Sequence, residues 1–107
     1  QLRLAAKAAA NATWTQPIID TKANLRSCFQ PLGTVCVFGP NNFPFAFNSI
    51  AGGDFAAAIA AGNPVIAKAN TTHPQTSLLL ARIVAEVLAK SGLPSGTVQM
   101  IYRTSHA

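Results

Sequence analysis

The chain has 107 residues, a hydrophobic fraction of 50%, an aromatic fraction of 7% and a formal net charge of +5. That length carries one small domain, and the composition is globular, with a core of small aliphatic side chains. The cations are scattered from Arg3 to Arg103 without a run or stripe, so they lack the footprint of a nucleic-acid binder; much of the imbalance comes from having only three acids, Asp20, Asp54 and Glu86.

No segment reaches the roughly 18 uninterrupted apolar residues of a membrane span. The nearest, 50–62, is broken by Asp54. No signal peptide is visible. Two cysteines, Cys28 and Cys36, make no disulfide framework, so a reduced, cytoplasmic compartment is the expectation. A start on Gln1 and an end on Ala107, just after an apolar run, read as a fragment of a longer chain.

Residues 1–12, rich in Ala, Leu, Lys and Arg, predict a helix. Residues 13–24 hold Pro17 and mixed polar residues and read as a connector, with Ile18-Ile19 a candidate short strand. Leu25 to Gln30 is ambiguous, with an extended reading open. Pro31-Leu32-Gly33 is a turn that launches a strand over Thr34–Phe38. The nearly all-small stretch 50–61 predicts a helix, ended by Gly62 at the C′ position and by Asn63-Pro64. A helix this apolar expects cover on more than one side. Val65–Ala69, apolar without alternation, fits a strand buried on both faces.

Thr72, three residues before Gln75, makes a capping box, with Pro74 in the first turn of a helix over 74–91. Leu80, Val84, Val87 and Leu88 form its buried side, and Arg82, Glu86 and Lys90 its charged side. Gly92 ends it, and Thr97–Tyr102 predicts a third strand. The fold class is therefore α/β, a β-α-β-α-β run with short right-handed connections. This is part of a Rossmann-like open parallel sheet behind an N-terminal helix and connector. Residues 1–24 form that helix and connector, and 25–107 belong to a nucleotide-binding domain.

The chemistry concentrates at two strand ends. Val35–Phe38 runs into Gly39-Pro40-Asn41-Asn42-Phe43-Pro44, and Pro64–Ala67 ends on Lys68. An amide and an ammonium then stand at the carboxyl ends of neighbouring strands, where open α/β sheets bind ligands. On spacing alone, Asn42 is a turn residue or a hydrogen-bond donor, and Lys68 a solvated or a ligand-binding cation. No Gly-x-Gly-x-x-Gly is present, and Gly52-Gly53, inside the predicted helix, is a poor phosphate cradle. Cys36, between Val35 and Val37, is expected in the core. His73 reads as a loop or cap residue and His106 lies near the end; neither has partners for a triad, and no metal site is expected.

These residues carry a resemblance. Pro31-Leu32-Gly33, Asn42-Phe43-Pro44, the run Ala60-Ala61-Gly62-Asn63-Pro64-Val65-Ile66-Ala67-Lys68, then Pro74 and Gly92-Leu93-Pro94-Ser95-Gly96 together resemble the cofactor-binding domain of the aldehyde dehydrogenase superfamily. Lys68 follows Asn42 by 26 positions, which suits that pattern. Phe43–Phe47, Ala51-Gly52-Gly53-Asp54 and Thr104-Ser105-His106-Ala107, with Gln1-Leu2-Arg3-Leu4 and Trp14, are similar to the branch of ketoglutarate semialdehyde (2,5-dioxovalerate) and fatty aldehyde dehydrogenases.

The resemblance implies NAD(P)-dependent oxidation of an aldehyde or semialdehyde to its carboxylic acid, in a homo-oligomer. It implies Asn42 as the donor to the oxyanion; choosing Asn42 over Asn41 rests on the Asn-Phe-Pro match. Phe38, Gly39, Pro40, Asn41, Lys68, Asn70 and Thr71 are the implied cofactor-binding residues. Thr71 stands where NAD-preferring members often carry Glu, which tilts the expected cofactor to NADP, with NAD the alternative. The chain departs from the pattern at two places: Asn41 stands where Trp is frequent, and Tyr102-Arg103 where Gly is frequent. The nucleophilic Cys and the general-base Glu of the family match nothing in these 107 residues, so the chain alone is expected to be inactive. The rival reading is a non-catalytic α/β binding or interaction module.

Overall fold

A computed structural model describes residues 1–103. Thr104–Ala107, which end the resemblance above and include His106, lie outside the described residues. Helix α1 spans Leu2–Ala10, and strands β1 and β2 span Ile18–Asp20 and Leu25–Ser27. They are followed by β3 (Val35–Phe38), α2 (Gly53–Ala60), β4 (Val65–Lys68), α3 (Pro74–Ser91) and β5 (Val98–Ile101).

The parallel β-α-β-α-β unit is present, in strand order β3-β4-β5. Its register aligns Val37 with Ala67 and Met100, and Phe38 with Lys68 and Ile101. Alternation along the strands then sorts the side chains onto two faces. Val37, Val65 and Ala67 are buried with Ile50, Phe55 and Ala58, and Val35, Val98, Met100, Leu80 and Val84 pack against them. Both crossovers step the same way across the sheet, so right-handedness puts α2 and α3 on that one face.

The opposite face carries Cys36, Phe38, Ile66, Lys68, Gln99 and Ile101, and no helix among the described residues covers it. Two expectations are corrected here. Cys36 is exposed rather than in the core, because it points to the uncovered face. Likewise β4 is not buried on both faces: Val65 and Ala67 are buried, whereas Ile66 and Lys68 are only half-buried.

Helix α2 meets the expectation of cover on two sides, with β3 and β4 against one side and α1 against another. Its start is later than expected. Gly52 is the N-cap rather than an interior residue, and Ile50–Gly52 turn instead of coiling. The cause is a close approach: a Cβ on Gly52 would lie 2.2 Å from the Asn48 carbonyl oxygen. Gly62, just past the helix, has φ +79°, as its predicted C′ position requires.

Helix α3 matches its predicted span, with Pro74 at the start. The capping box does not form. His73 is the N-cap and makes no side-chain cap bond, and the Thr72 N–H donates to Asn70 Oδ1 at 2.8 Å. Val87 is exposed rather than buried; with Leu79 and Ile83 it repeats every four residues along an outward stripe.

Strands β1 and β2 pair as an antiparallel hairpin, so the connector holds a strand at Ile18-Ile19 and Leu25–Ser27 is extended. Every residue of that hairpin is exposed. The Cα radius of gyration is 16.1 Å, against about 13 Å for a compact chain of this size. The excess fits a hairpin that stands away from the core.

Candidate active site at the carboxyl edge of the sheet

Parallel strands bring all their carboxyl ends to one edge. Here that edge carries the long loop after β3 (39–52), the short loop after β4 (69–73) and Tyr102-Arg103 after β5. Both predicted site loops are thus neighbours. Residues 39–44 and 69–73 contain no acid.

The two loops are tied by side chains. Asn70 Nδ2 donates to the Gly39 carbonyl at 2.9 Å. His73 Nε2 lies 3.0 Å from the Asn41 carbonyl; that oxygen can only accept, so Nε2 carries the proton. Deeper, Ser77 Oγ donates to Asn48 Oδ1 at 3.3 Å. The segment from Asn70 to Ser77 therefore holds the β3 loop at Gly39, at Asn41 and at Asn48.

Asn48 also braces the loop from inside. Its Nδ2 donates to the Pro44 carbonyl at 2.8 Å, and its Oδ1 accepts from the Ile50 N–H at 3.1 Å. Asn48 and Ser77 are 4% and 0% exposed, so each of these bonds satisfies a group that water does not reach. Gly39 admits the fold-back: a Cβ there would stand 2.6 Å from the Ser49 backbone nitrogen. Phe43 and Phe47 meet edge to face, with ring centroids 5.5 Å apart, across the turn that follows Asn42.

Within this frame Asn42 is exposed. Among the described residues its amide has no hydrogen-bond partner, whereas those of Asn48, Asn63 and Asn70 are engaged. An exposed amide on a braced loop can donate to a charge developing on a bound molecule. Phe38, Pro40 and Asn41 are also exposed, and Gly39 is half-buried.

Lys68 ends β4 on the uncovered face, in register between Phe38 and Ile101, which are 70% and 41% exposed. Two apolar side chains flanking a cation suit a nucleoside, with its flat base and its hydroxyls or phosphate. Thr71 is exposed in the next loop, inside the turn closed by Asn70 and Thr72. The Asn70 side chain points its donor into the β3 loop. No group of three metal-ligating side chains occurs among the described residues. No helix among them is long and apolar enough to cross a membrane.

Sequence reasoning missed the braces. From sequence His73 reads as a loop or cap residue, and Ser77 as one more residue of helix 74–91. The usable signal is the pair Asn48-Ser49, polar residues that interrupt the apolar run from Phe43 to Ile50. Asn63 was read only as a helix stop. Its Oδ1 also accepts from the Leu32 and Gly33 N–H groups at 2.7 and 3.1 Å, clamping the turn before β3 to the turn before β4.

The sequence is similar to those of known proteins. A model of the aldehyde dehydrogenase family matches residues 1–107. An alpha-ketoglutaric semialdehyde dehydrogenase 2 from Azospirillum brasilense is 41% identical over 94% of this chain and 21% of its own length. An alpha-ketoglutaric semialdehyde dehydrogenase from Acinetobacter baylyi is 40% identical over 95% of this chain and 21% of its own length. A 2,5-dioxopentanoate dehydrogenase from Saccharolobus solfataricus is 39% identical over 81% of the chain and 17% of its own length. The chain thus spans about a fifth of the length of the curated relatives it matches.

Proposed function

Because the chain belongs to the aldehyde dehydrogenase family, we propose that the full-length polypeptide oxidises a semialdehyde to its carboxylic acid with NADP, NAD being the alternative cofactor. The observation that carries this reading is the exposed Asn42 amide, unengaged among the described residues, on a loop braced against the segment that bears Lys68 and Thr71.

In this reading a thiolate from outside residues 1–107 adds to the aldehyde carbon, and the carbonyl oxygen takes up negative charge. The Asn42 amide donates to that oxyanion from a loop already held in place, so little reorganisation is needed as charge develops. Bound nicotinamide cofactor supplies the hydride acceptor. Lys68 holds its adenosine side, with Phe38 and Ile101 offering apolar surface to the base. Phe38, Gly39, Pro40 and Asn41 form the wall beside it, and Asn70 shapes that wall through Gly39. Thr71 gives the 2′-phosphate a hydroxyl in place of a repelling carboxylate, and Lys68 gives it a charge partner. The names of the relatives support the semialdehyde class, since they describe ketoglutaric semialdehyde and dioxopentanoate dehydrogenases.

The test is steady-state kinetics of the full-length polypeptide with a glutarate-type semialdehyde. Asn42→Ala is expected to lower kcat by about 10²–10³. Thr71→Glu is expected to move the kcat/KM preference from NADP towards NAD. A kcat unchanged by Asn42→Ala would sink the oxyanion role, and a preference for NAD that Thr71→Glu leaves alone would sink the cofactor assignment.

A further inference from the structure

We infer that His73 is a positioning residue for Asn42, acting through the carbonyl of Asn41. This rests on the proposed role of Asn42 as oxyanion donor. A peptide unit is planar, so the Asn41 carbonyl and the nitrogen and Cα of Asn42 move as one plate. A hydrogen bond on that oxygen fixes the plate, and with it the position of the Cα from which the Asn42 side chain leaves the backbone. The His73 Nε2–H supplies that bond at 3.0 Å across 32 positions of sequence.

Other braces leave this plate free to turn. Asn70 holds Gly39 before it, and Asn48 holds Pro44 after it. The residues between, Pro40 to Phe43, are all exposed. Among the described residues, His73 is the side chain from another element that grips this stretch. Its position frees it for the task. It is the N-cap of α3, yet its ring makes no cap bond to the helix and reaches across to the β3 loop instead. His73 also follows Lys68 and Thr71 on one short segment, so the loop that would meet the cofactor holds the loop that would meet the aldehyde.

The chemistry requires a donor and nothing else. Neutral imidazole with the proton on Nε2 and imidazolium both donate, so the effect does not depend on the charge of the ring. Glutamine can supply a comparable N–H, and leucine cannot.

The experiment is a double-mutant cycle in the full-length polypeptide, with His73→Leu, Asn42→Ala, the pair, and His73→Gln, read as kcat and as KM for aldehyde and cofactor. His73→Leu is expected to lower kcat and kcat/KM for the aldehyde together, by roughly threefold to tenfold, the worth of one exposed hydrogen bond. The KM for NADP is expected to change less than kcat does, although Asn41 also borders the cofactor, and His73→Gln to recover kcat to within about twofold. In the Asn42→Ala background, His73→Leu should have no further effect. An equal loss in both backgrounds would overturn the inference, as would a raised KM for NADP at unchanged kcat. If Asn42→Ala lowers kcat but His73→Leu does not, only the inference about His73 falls. If Asn42→Ala leaves kcat unchanged, the oxyanion reading falls and takes the inference with it.

Discussion

Replacing Asn48 by alanine tests whether the brace under the β3 loop is a structural necessity. The substitution strands three groups. The Ile50 N–H sits in a residue 1% exposed and loses its acceptor, a penalty of about 1–3 kcal/mol. The Ser77 hydroxyl, 0% exposed, loses its acceptor but can turn towards the His73 carbonyl one helical turn earlier, so its share is about 0.5–1.5 kcal/mol. The Pro44 carbonyl loses its donor at a half-buried position that water can reach, for at most about 1 kcal/mol. The sum is about 2–5 kcal/mol. Because the urea m-value grows with the size of the unfolding unit and exceeds about 3 kcal/mol/M for a polypeptide several times this length, the unfolding midpoint of the full-length polypeptide should fall by up to roughly 1.5 M. Ser77→Ala alone leaves Asn48 bonded to Ile50 and Pro44, and should cost about 1 kcal/mol or less. In the double variant the stranded hydroxyl is gone, so the loss should fall short of the sum by about 0.5–1 kcal/mol. A loss within about 0.5 kcal/mol for Asn48→Ala, or strict additivity with Ser77→Ala, would refute the reasoning.

Two further predictions concern the frame. Gly52→Ala places a Cβ 2.2 Å from the Asn48 oxygen and 2.8 Å from its nitrogen, all backbone, so it should destabilise by about 2–4 kcal/mol in urea unfolding. Gly92→Ala meets nothing within 4 Å and is strained only by its φ of +74°, so about 1 kcal/mol is expected; similar losses at the two glycines would contradict the steric account. Asn63→Ala removes the acceptor of the Leu32 and Gly33 N–H groups and the donor to the buried Ala58 carbonyl, and should cost about 2 kcal/mol; Asn63→Asp keeps the two acceptor contacts but sets an oxygen against the Ala58 carbonyl, so it should also destabilise when measured in the same way.

Much of the architecture was legible because it rests on local chemistry. The span 74–91 follows from Pro74 at one end and Gly92 at the other, with helix formers between. Gly62 and Asn63-Pro64 end α2 where they were expected to. The apolar runs of β3, β4 and β5, each separated from the next by a helix-length crossover, dictate a parallel unit with its carboxyl ends together. That was enough to bring the loop of Asn42 and the end of β4 at Lys68 to one edge. The late start of α2 was not legible, since it depends on Gly52 lying against Asn48, a contact with no local signature.

What the amino-acid sequence determined by itself is the element order, the edge where the candidate site sits and the membership in the family, because caps, breakers, apolar runs and motif spacing are properties of neighbouring residues. Only the tertiary structure decided which face of the sheet is covered, and so where Cys36 and Lys68 point. It alone revealed that His73, Asn70 and Ser77 hold the β3 loop at Asn41, Gly39 and Asn48. The physical reason is distance along the chain: these bonds join residues 29 to 32 positions apart. Whether a histidine or an asparagine caps its own helix or braces a remote loop is settled by what the fold brings beside it.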